Sequence, residues 1–127
     1  MAQEFAKPTE SDMPNCILIG APIDEGQRRA GCVMGPAAYR VAGLASAIAE
    51  LGHGVEDWGD LAAAEVTAAP CPNPAVHDLD RVLGWTEALC DRVDDALSTG
   101  GMPIILGGDH SLALGSVAGA AAFAKRQ

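Results

Sequence analysis

Pro103-Ile-Ile-Leu106 is a continuous apolar run, and Gly107-Gly-Asp-His-Ser111 follows it as a turn rich in glycine and polar residues. A short apolar run closed by such a turn is typical of a strand that is buried on both faces of a parallel sheet. The residues from Leu112 to Lys125 are rich in alanine, which predicts a helix directly after the turn. This unit of strand, turn and helix therefore decides how the rest of the chain is interpreted.

The same alternation occurs twice more on the amino-terminal side of this unit. The predicted elements are a buried strand at 16–22, a helix at 35–51, a weaker strand at 54–60, a proline-rich loop at 61–75 and a long helix at 79–97. The helix at 35–51 is predicted to be a single amphipathic element, because its apolar residues recur at steps of three and four: Val41, Leu44, Ala45, Ile48 and Leu51. Strands that alternate with helices predict an α/β fold, with an open parallel sheet and helices on both faces.

Composition and charge limit the classes of function that the protein can have. The chain has 127 residues, of which 49% are hydrophobic and 20% charged, which fits one globular domain or part of one. Its formal charge of −9 argues against nucleic acid and anionic membranes as partners. Residues 1–14 form a polar leader without a signal or anchor pattern, so residues 15–127 are expected to form a cytoplasmic domain with reduced cysteines.

Three strand exits are candidate ligand sites, because ligands bind open parallel sheets at the carboxyl ends of the strands. They are Gly20–Asp24, Trp58–Asp60 and Gly107–Ser111, and the last carries a carboxylate, Asp109, next to an imidazole, His110. These two side chains suit a metal ion, but a single histidine is also commonly a hydrogen-bonded structural residue. Asp109 has a second interpretation as the cap of the following helix.

Other candidate residues carry weaker signals. The charged loop Asp24–Arg29 either lines the mouth of a pocket or is simply solvated, and His53 and His77 are expected to be surface or packing residues. The sequence has neither the Walker nor the dinucleotide glycine spacing, no Gly-x-Ser-x-Gly elbow and no Cys-x-x-Cys pair. Nucleotide binding, serine hydrolysis and a zinc ribbon are therefore not predicted.

Four segments together resemble the ureohydrolase family and, within it, the arginases. They are Ile17-Leu-Ile-Gly-Ala-Pro-Ile23, the stretch Glu25–Gly43 with its Gly-Gln and Gly-Pro pairs, Glu50–Asp60, and Leu106-Gly-Gly-Asp-His-Ser-Leu-Ala-Leu-Gly-Ser116. The last resembles the first of three motifs that define the family. The order and spacing of these segments carry the resemblance, which extends over most of the chain.

The resemblance implies a three-layer α/β/α fold, incomplete in this chain, and a homo-oligomer, a trimer or hexamer, when the protein is complete. It implies a site for two Mn²⁺ ions, or other divalent cations, at the carboxyl edge of the sheet. By position, His110 corresponds to the first metal ligand, with Gly107, Gly108, Asp109 and Ser111 as supporting residues beside it. In the family the other ligands come from an Asp-x-His-x-Asp motif after the next strand, which this sequence does not contain, and from an Asp-x-Asp motif that lies much further on than the resemblance extends.

The activity that the resemblance implies is hydrolysis of the guanidinium group of L-arginine to L-ornithine and urea. One imidazole cannot hold the metal pair that generates a hydroxide at neutral pH, so the 127-residue chain alone is expected to be inactive. Agmatinase or another amidino-hydrolase acting on a small guanidino substrate remains an alternative. An alternative of another class is a noncatalytic fragment that associates with a partner through an exposed sheet edge.

Overall fold

A computed structural model describes residues 13–127, so nearly all of the predicted polar leader, 1–14, lies outside the described residues. Each predicted strand and helix has a counterpart in the structure. The strands are β1 (Cys16–Ala21), β2 (Val55–Asp60) and β3 (Met102–Gly107), and the helices are α1 (Gly35–Val41), α2 (Leu44–Glu50), α3 (Leu79–Ser98) and α4 (Ala113–Ala124). Short 3-10 turns precede α1 at Cys32–Met34 and α4 at His110–Leu112.

The three strands form one parallel sheet in the order β2-β1-β3. All six residues of the central strand β1 are buried, as its continuous apolar sequence predicts. Because the strands are parallel, their carboxyl ends lie at the same edge of the sheet. The predicted α/β class with a parallel sheet is therefore confirmed.

Helices cover both faces of the sheet. On one face, α3 packs its Trp85 and Leu89 with Ala21 and Ile23, and its Ala96 with side chains of β1. Ile105 packs against the same cores, and the groove that contains Tyr39 of α1 and Leu44 of α2 is lined by residues 104–106 of β3. Because successive side chains of a strand point to opposite faces, Ile104 and Leu106 are on the face opposite Ile105. α4 extends the α3 layer by packing against α3.

The single helix predicted over 35–51 is wrong: the structure breaks it between α1 and α2. Gly43 adopts a left-handed conformation, with φ of 85°, which an L-residue with a side chain seldom takes within a helix. The break interrupts the predicted apolar stripe. As a result Val41 and Leu51 do not face the core, and they are 90% and 72% exposed. Only the half-buried Leu44 and Ile48 of that stripe remain oriented toward the protein.

The prediction that β3 is buried on both faces also needs correction. Among its six residues only Leu106 is fully buried, and Met102 is 42% exposed. The physical reason is its position, because β3 is an edge strand of the described sheet whereas β1 is central. Its apolar sequence is that of an interior strand, but in the described residues it has a neighbour on one side only.

Between residues 13 and 127, no single helix is both long and apolar enough to cross a bilayer. The segments 32–41 and 44–50 reach the required length only when added together, and they are bent by 47° relative to each other.

Arg40 fastens α1 to the carboxyl end of β2. Its guanidinium donates to both oxygens of Asp57, at 2.7 and 2.9 Å, and to Oδ1 of Asp60 at 2.5 Å. These hydrogen bonds from Arg40 hold the pKa of Asp57 below its ordinary value, despite some loss of hydration. The planar fork of arginine is needed to reach two carboxylates at once.

We expect Arg40→Lys to lower the free energy of unfolding by about 1 kcal/mol, because an ammonium keeps the charge but not the fork, and the cluster is partly exposed. Guanidinium chloride denaturation checks this value. Arg29→Lys is the matched control, since Arg29 is exposed and has no ion pair among residues 13–127. Equal stability of the two variants would contradict the role given to Arg40.

Candidate functional site

The loops that leave β1 and β3 meet at the carboxyl edge of the sheet. The two strands are neighbours over their whole length, from Cys16 beside Met102 to Ala21 beside Gly107. Backbone hydrogen bonds then join the loops, from the amide of Asp109 to the carbonyl of Ile23 at 2.8 Å. The candidate site is therefore built from two segments that are far apart in sequence.

Asp109 is the hydrogen-bonding centre of this junction. Its side chain is buried, with 4% of the residue exposed. Its Oδ1 accepts hydrogen bonds from the Ser111 amide at 2.9 Å and the Ser111 hydroxyl at 2.5 Å, and its Oδ2 accepts one from the Gln27 amide at 2.9 Å. The interpretation of Asp109 as a cap is confirmed, since it is the N-cap of the 3-10 turn at His110–Leu112.

The hydrogen bonds of Asp109 determine its charge state. Burial alone disfavours the carboxylate, but donors from Ser111, Gln27 and the backbone of Gly26 outweigh that cost and hold the pKa of Asp109 below its ordinary value. Asp109 is therefore an anion whose two oxygens are already occupied by protein donors. This arrangement suits a positioning residue that fixes the turn.

Gly108 permits the turn to take this shape. Its φ is 64°, and a Cβ added there would lie 2.5 Å from the carbonyl oxygen of Ala21 and 2.7 Å from that of Ile23. A residue with a side chain would therefore push the β1 and β3 loops apart. Together Gly108, Asp109 and Ser111 hold His110 at the tip of β3.

His110 is exposed at this edge, at the first position of the 3-10 turn. Its side chain lines two grooves, one of about 680 Å³ along α4 and one of about 500 Å³ along β3. Gln27 from the β1 loop lies beside it in the α4 groove. The imidazole is thus accessible at the carboxyl ends of the strands rather than enclosed in the apolar core.

A complete metal centre is not formed by the described residues. Within 13–127, no group of three or more histidine, cysteine, aspartate or glutamate side chains converges on one point. The oxygens of Asp109 are committed to backbone and hydroxyl donors, which leaves His110 as a single outward ligand. A divalent cation such as Mn²⁺ requires several oxygen donors in addition to an imidazole, so these residues alone do not fit it.

The charged loop Asp24–Arg29 was predicted either to line the mouth of a pocket or to be solvated, and different residues of the loop do each. Gln27 reaches the α4 groove beside His110. Glu25 instead accepts hydrogen bonds from Arg81 at 3.1 Å and Trp85 at 3.2 Å of α3, and Arg28 pairs with Asp78 at the surface. Burial works against ionisation of Glu25, but hydrogen bonds from nearby backbone amides and the hydrogen bond and charge of Arg81 leave the pKa of Glu25 below its ordinary value.

The two remaining histidines belong to no group of three metal-ligand side chains among residues 13–127, in keeping with the surface or packing role expected for them. His53 contacts the Pro14 carbonyl oxygen through Nδ1 at 3.1 Å, and His77 is exposed in the loop before α3. The exit at Trp58–Asp60 is occupied by the ion pairs of Arg40, and within residues 13–127 no group of three metal-ligand side chains forms there. Among the described residues, the Gly107–Ser111 exit is therefore the best candidate site.

The hydrogen bond between Gln27 and Asp109 is the feature that the sequence did not reveal. It joins residues that are 82 positions apart, and local sequence patterns do not predict contacts over such a separation. The sequence marks the Gly-Gln pair at 26 and 27 as part of the charged loop and of the family resemblance, but not as a partner of Asp109. The structure gives Gln27 this role, because its amide donates to Oδ2 of Asp109 at 2.9 Å, and the Gly26 backbone lies close to the same carboxylate.

Comparison with known proteins agrees with this geometry. The model of the arginase family matches residues 14–127. The chain is 39% identical to the arginase of Agrobacterium fabrum over 112 residues, covering 88% of this chain and 35% of that protein. It is 46% identical to the arginase of Brucella abortus over 107 residues, covering 84% and 35% respectively.

Solved structures show the same fold. The native arginase of Bacillus caldovelox superimposes with a TM-score of 0.75 at 36% identity, over 87% of this chain and 37% of that one. The chain thus spans about a third of the length of the relatives that it matches. The family match covers nearly the whole chain, including the β3 exit with His110, and on this basis the chain belongs to the arginase family.

Proposed function

We propose that this chain is the amino-terminal part of an arginase-type ureohydrolase that hydrolyses the guanidinium group of L-arginine to L-ornithine and urea. The proposal depends on the exposed His110 at the carboxyl tip of β3, in a chain of the arginase family. His110 is held there by the buried Asp109, which accepts hydrogen bonds from Ser111 and Gln27; we call this arrangement the Asp109 clamp. In this proposal His110 is one ligand of a two-manganese site. The remaining ligands come from polypeptide beyond the matched third.

The chemistry explains why a metal pair is needed. The guanidinium carbon is a poor electrophile because its positive charge is delocalised, and a manganese pair held partly by His110 would supply the strong nucleophile that hydrolysis needs at neutral pH. The part that this chain plays is to hold the imidazole of His110 in place. Asp109 acts through the 3-10 turn, as a positioning residue, and Gln27 lies at the border of the groove next to His110.

We expect the 127-residue chain to release no urea from L-arginine in the presence of Mn²⁺, since no group of three or more metal-ligand side chains converges among residues 13–127. A chimera that joins this chain to the carboxyl-terminal remainder of the Bacillus caldovelox arginase is expected to release urea. His110→Ala in that chimera should lower kcat/KM by at least about 100-fold, because even residues that only support a metal ligand cost 10- to 100-fold. A colorimetric urea assay measures each case.

The matched control is His77→Ala in the same chimera, which removes an exposed histidine from a loop before α3 and should leave kcat/KM unchanged. An active chimera that tolerates His110→Ala as well as His77→Ala would overturn the ligand assignment. Urea release by the 127-residue chain alone would overturn the expectation that further ligands are required.

The substrate is tested with the same chimera. We propose L-arginine over agmatine and other guanidino compounds because the relatives compared above bear the name arginase. Turnover of agmatine in preference to L-arginine would contradict that choice, provided that a second chimera with the Agrobacterium fabrum remainder behaves alike. We expect the complete enzyme to be a trimer or hexamer, which sedimentation of the active chimera measures.

A further inference from the structure

The loop at 24–28, which follows β1, lies between α3 and the turn that carries His110. On the side of the turn, the Gln27 amide donates to Oδ2 of Asp109 at 2.9 Å. A Cβ added at Gly26 would lie 2.8 Å from Oδ1 of the same carboxylate, so the backbone of the loop lies directly against the Asp109 clamp. A displacement of this loop therefore reaches the clamp.

The other side of the same loop is fixed to α3 through Glu25. The Glu25 side chain is 20% exposed, and its oxygens accept hydrogen bonds from Nε of Arg81 at 3.1 Å and from Nε1 of Trp85 at 3.2 Å. Arg28 adds an ion pair with Asp78 at 2.9 Å, and both of these side chains are exposed. Because exposed ion pairs contribute little to stability, Glu25 is the main attachment of the loop to α3.

The indole of Trp85 opposes release of this attachment. Trp85 is buried, with 5% of the residue exposed, and it packs in the core with Ile23 and Leu89. Within residues 13–127 the carboxylate of Glu25 is the hydrogen-bond acceptor for the indole N–H. If Glu25 moved away from α3, this buried donor would lose its partner, which is unfavourable. The docked position of the loop is therefore strongly preferred.

We propose that Glu25 is a positioning residue for the turn that carries the metal ligand. By fixing the loop to α3, Glu25 keeps the Gln27 amide on Asp109. Through Asp109 it then restricts the directions that the His110 imidazole can take. The inference rests on the proposed function, because it extends the support of the same metal ligand from the β3 turn to α3.

Amide hydrogen exchange of the 127-residue chain, followed by NMR, tests the link to the turn. Glu25→Ala should accelerate exchange at the Gln27 and Ser111 amides at least tenfold more than at the amides of β1, because the loop opens locally while the sheet stays paired. Glu25→Gln keeps one side-chain oxygen as an acceptor and should give a smaller acceleration. Glu87→Ala is the matched control, because Glu87 is exposed on α3, and it should change neither set of amides.

A purely structural role for Glu25 predicts a different exchange result. Loss of overall stability alone would accelerate the amides of the loop, the turn and β1 to the same extent. If Glu25→Ala accelerates the Gln27 and Ser111 amides no more than those of β1, the inference is overturned.

The chimera described above tests the consequence for the metal site. Glu25→Ala should raise the Mn²⁺ concentration for half-maximal urea release by about 5- to 10-fold, whereas Glu87→Ala should leave it unchanged. Glu25→Ala combined with Asp109→Asn should shift this concentration no further than Asp109→Asn alone, to within about twofold, because Glu25 acts through Asp109. Two effects that multiply in full would contradict that route.

The two experiments separate failure of this inference from failure of the proposed function. An active chimera in which Glu25→Ala behaves like Glu87→Ala overturns the positioning role and leaves the proposed function intact. A chimera that is inactive without any substitution overturns the proposed function. In that case the exchange measurement still decides whether Glu25 fixes the turn.

Discussion

Asp109→Asn is expected to lower the free energy of unfolding of the chain by about 3 kcal/mol. The carboxylate accepts three hydrogen bonds in a buried position, from the Ser111 amide and hydroxyl and from the Gln27 amide. An asparagine of the same size keeps one acceptor oxygen and turns an NH₂ group toward a donor, which leaves a buried donor unsatisfied. A hydrogen bond to a charged group contributes about 1.5–3 kcal/mol, and an orphaned buried donor adds its own cost.

Guanidinium chloride denaturation at pH 7 measures this difference. Asp91→Asn is the control, because Asp91 is exposed on α3 and should change stability by less than about 0.5 kcal/mol. Indistinguishable unfolding midpoints for the two variants would mean that the clamp does not stabilise the fold.

The dependence of stability on pH gives a second measurement of the same clamp. The pKa of Asp109 is lower in the folded protein than its ordinary value. Its ionisation therefore stabilises the fold fully above the unfolded pKa, about 3.9 for aspartate, and this contribution is lost as the pH falls through the lower folded value. Asp109→Asn should lose less stability than the parent chain on acidification below about pH 4. Parallel stability curves for the two proteins below that pH would argue against ionisation of Asp109 as the source.

The clamp also connects stability with the proposed activity. The oxygens of Asp109 accept hydrogen bonds from Ser111 and Gln27, and in this way Asp109 fixes the turn from which His110 projects. In the chimera, Asp109→Asn should weaken Mn²⁺ binding by about 10- to 100-fold, as loss of a supporting residue beside a metal ligand commonly does. Manganese titration of activity measures this shift separately from unfolding.

The elements that the sequence predicted well are those encoded by local patterns. α3 follows from apolar residues spaced three and four apart, and β1 from a continuous apolar run that only a central strand can bury. The position of His110 at a strand exit follows from the same local information. The link between Asp109 and Gln27 does not, because it depends on two loops that the sheet brings together.

The glycines likewise differ in how far their roles can be predicted from the local sequence. Gly52 follows the end of α2 with a left-handed φ of 93°, a conformation in which glycine commonly ends a helix. Gly43 has a similar left-handed φ of 85° but lies within an unbroken apolar periodicity, so the pattern predicted one helix where there are two. Gly115 and Gly119 are different again, since they lie inside α4 and their role depends on the surface of α3 beneath them.

Replacement of both Gly115 and Gly119 with valine is expected to destabilise the chain by about 4 kcal/mol. A Cβ at Gly115 would lie 2.6 Å from Cβ of Leu89, and one at Gly119 would lie 2.5 Å from the carbonyl oxygen of Cys90. Both contacts are with α3. The contacted atoms are a backbone oxygen and a Cβ, which cannot move aside by a change of rotamer, so α3 and α4 would have to move apart. Overpacking of this kind costs about 1–3 kcal/mol at each position.

The control separates this close packing from the intrinsic helix preference of valine. Ala120→Val with Ala124→Val places the same two β-branched residues on the exposed side of α4, where only helix propensity changes, by less than about 1 kcal/mol at each position. Denaturation of both double variants compares them directly. If the two lost equal stability, α3 and α4 would not be held together by contact at these glycines. A larger loss in the glycine variant means that α4, and with it the turn carrying His110, is fixed to the sheet through α3.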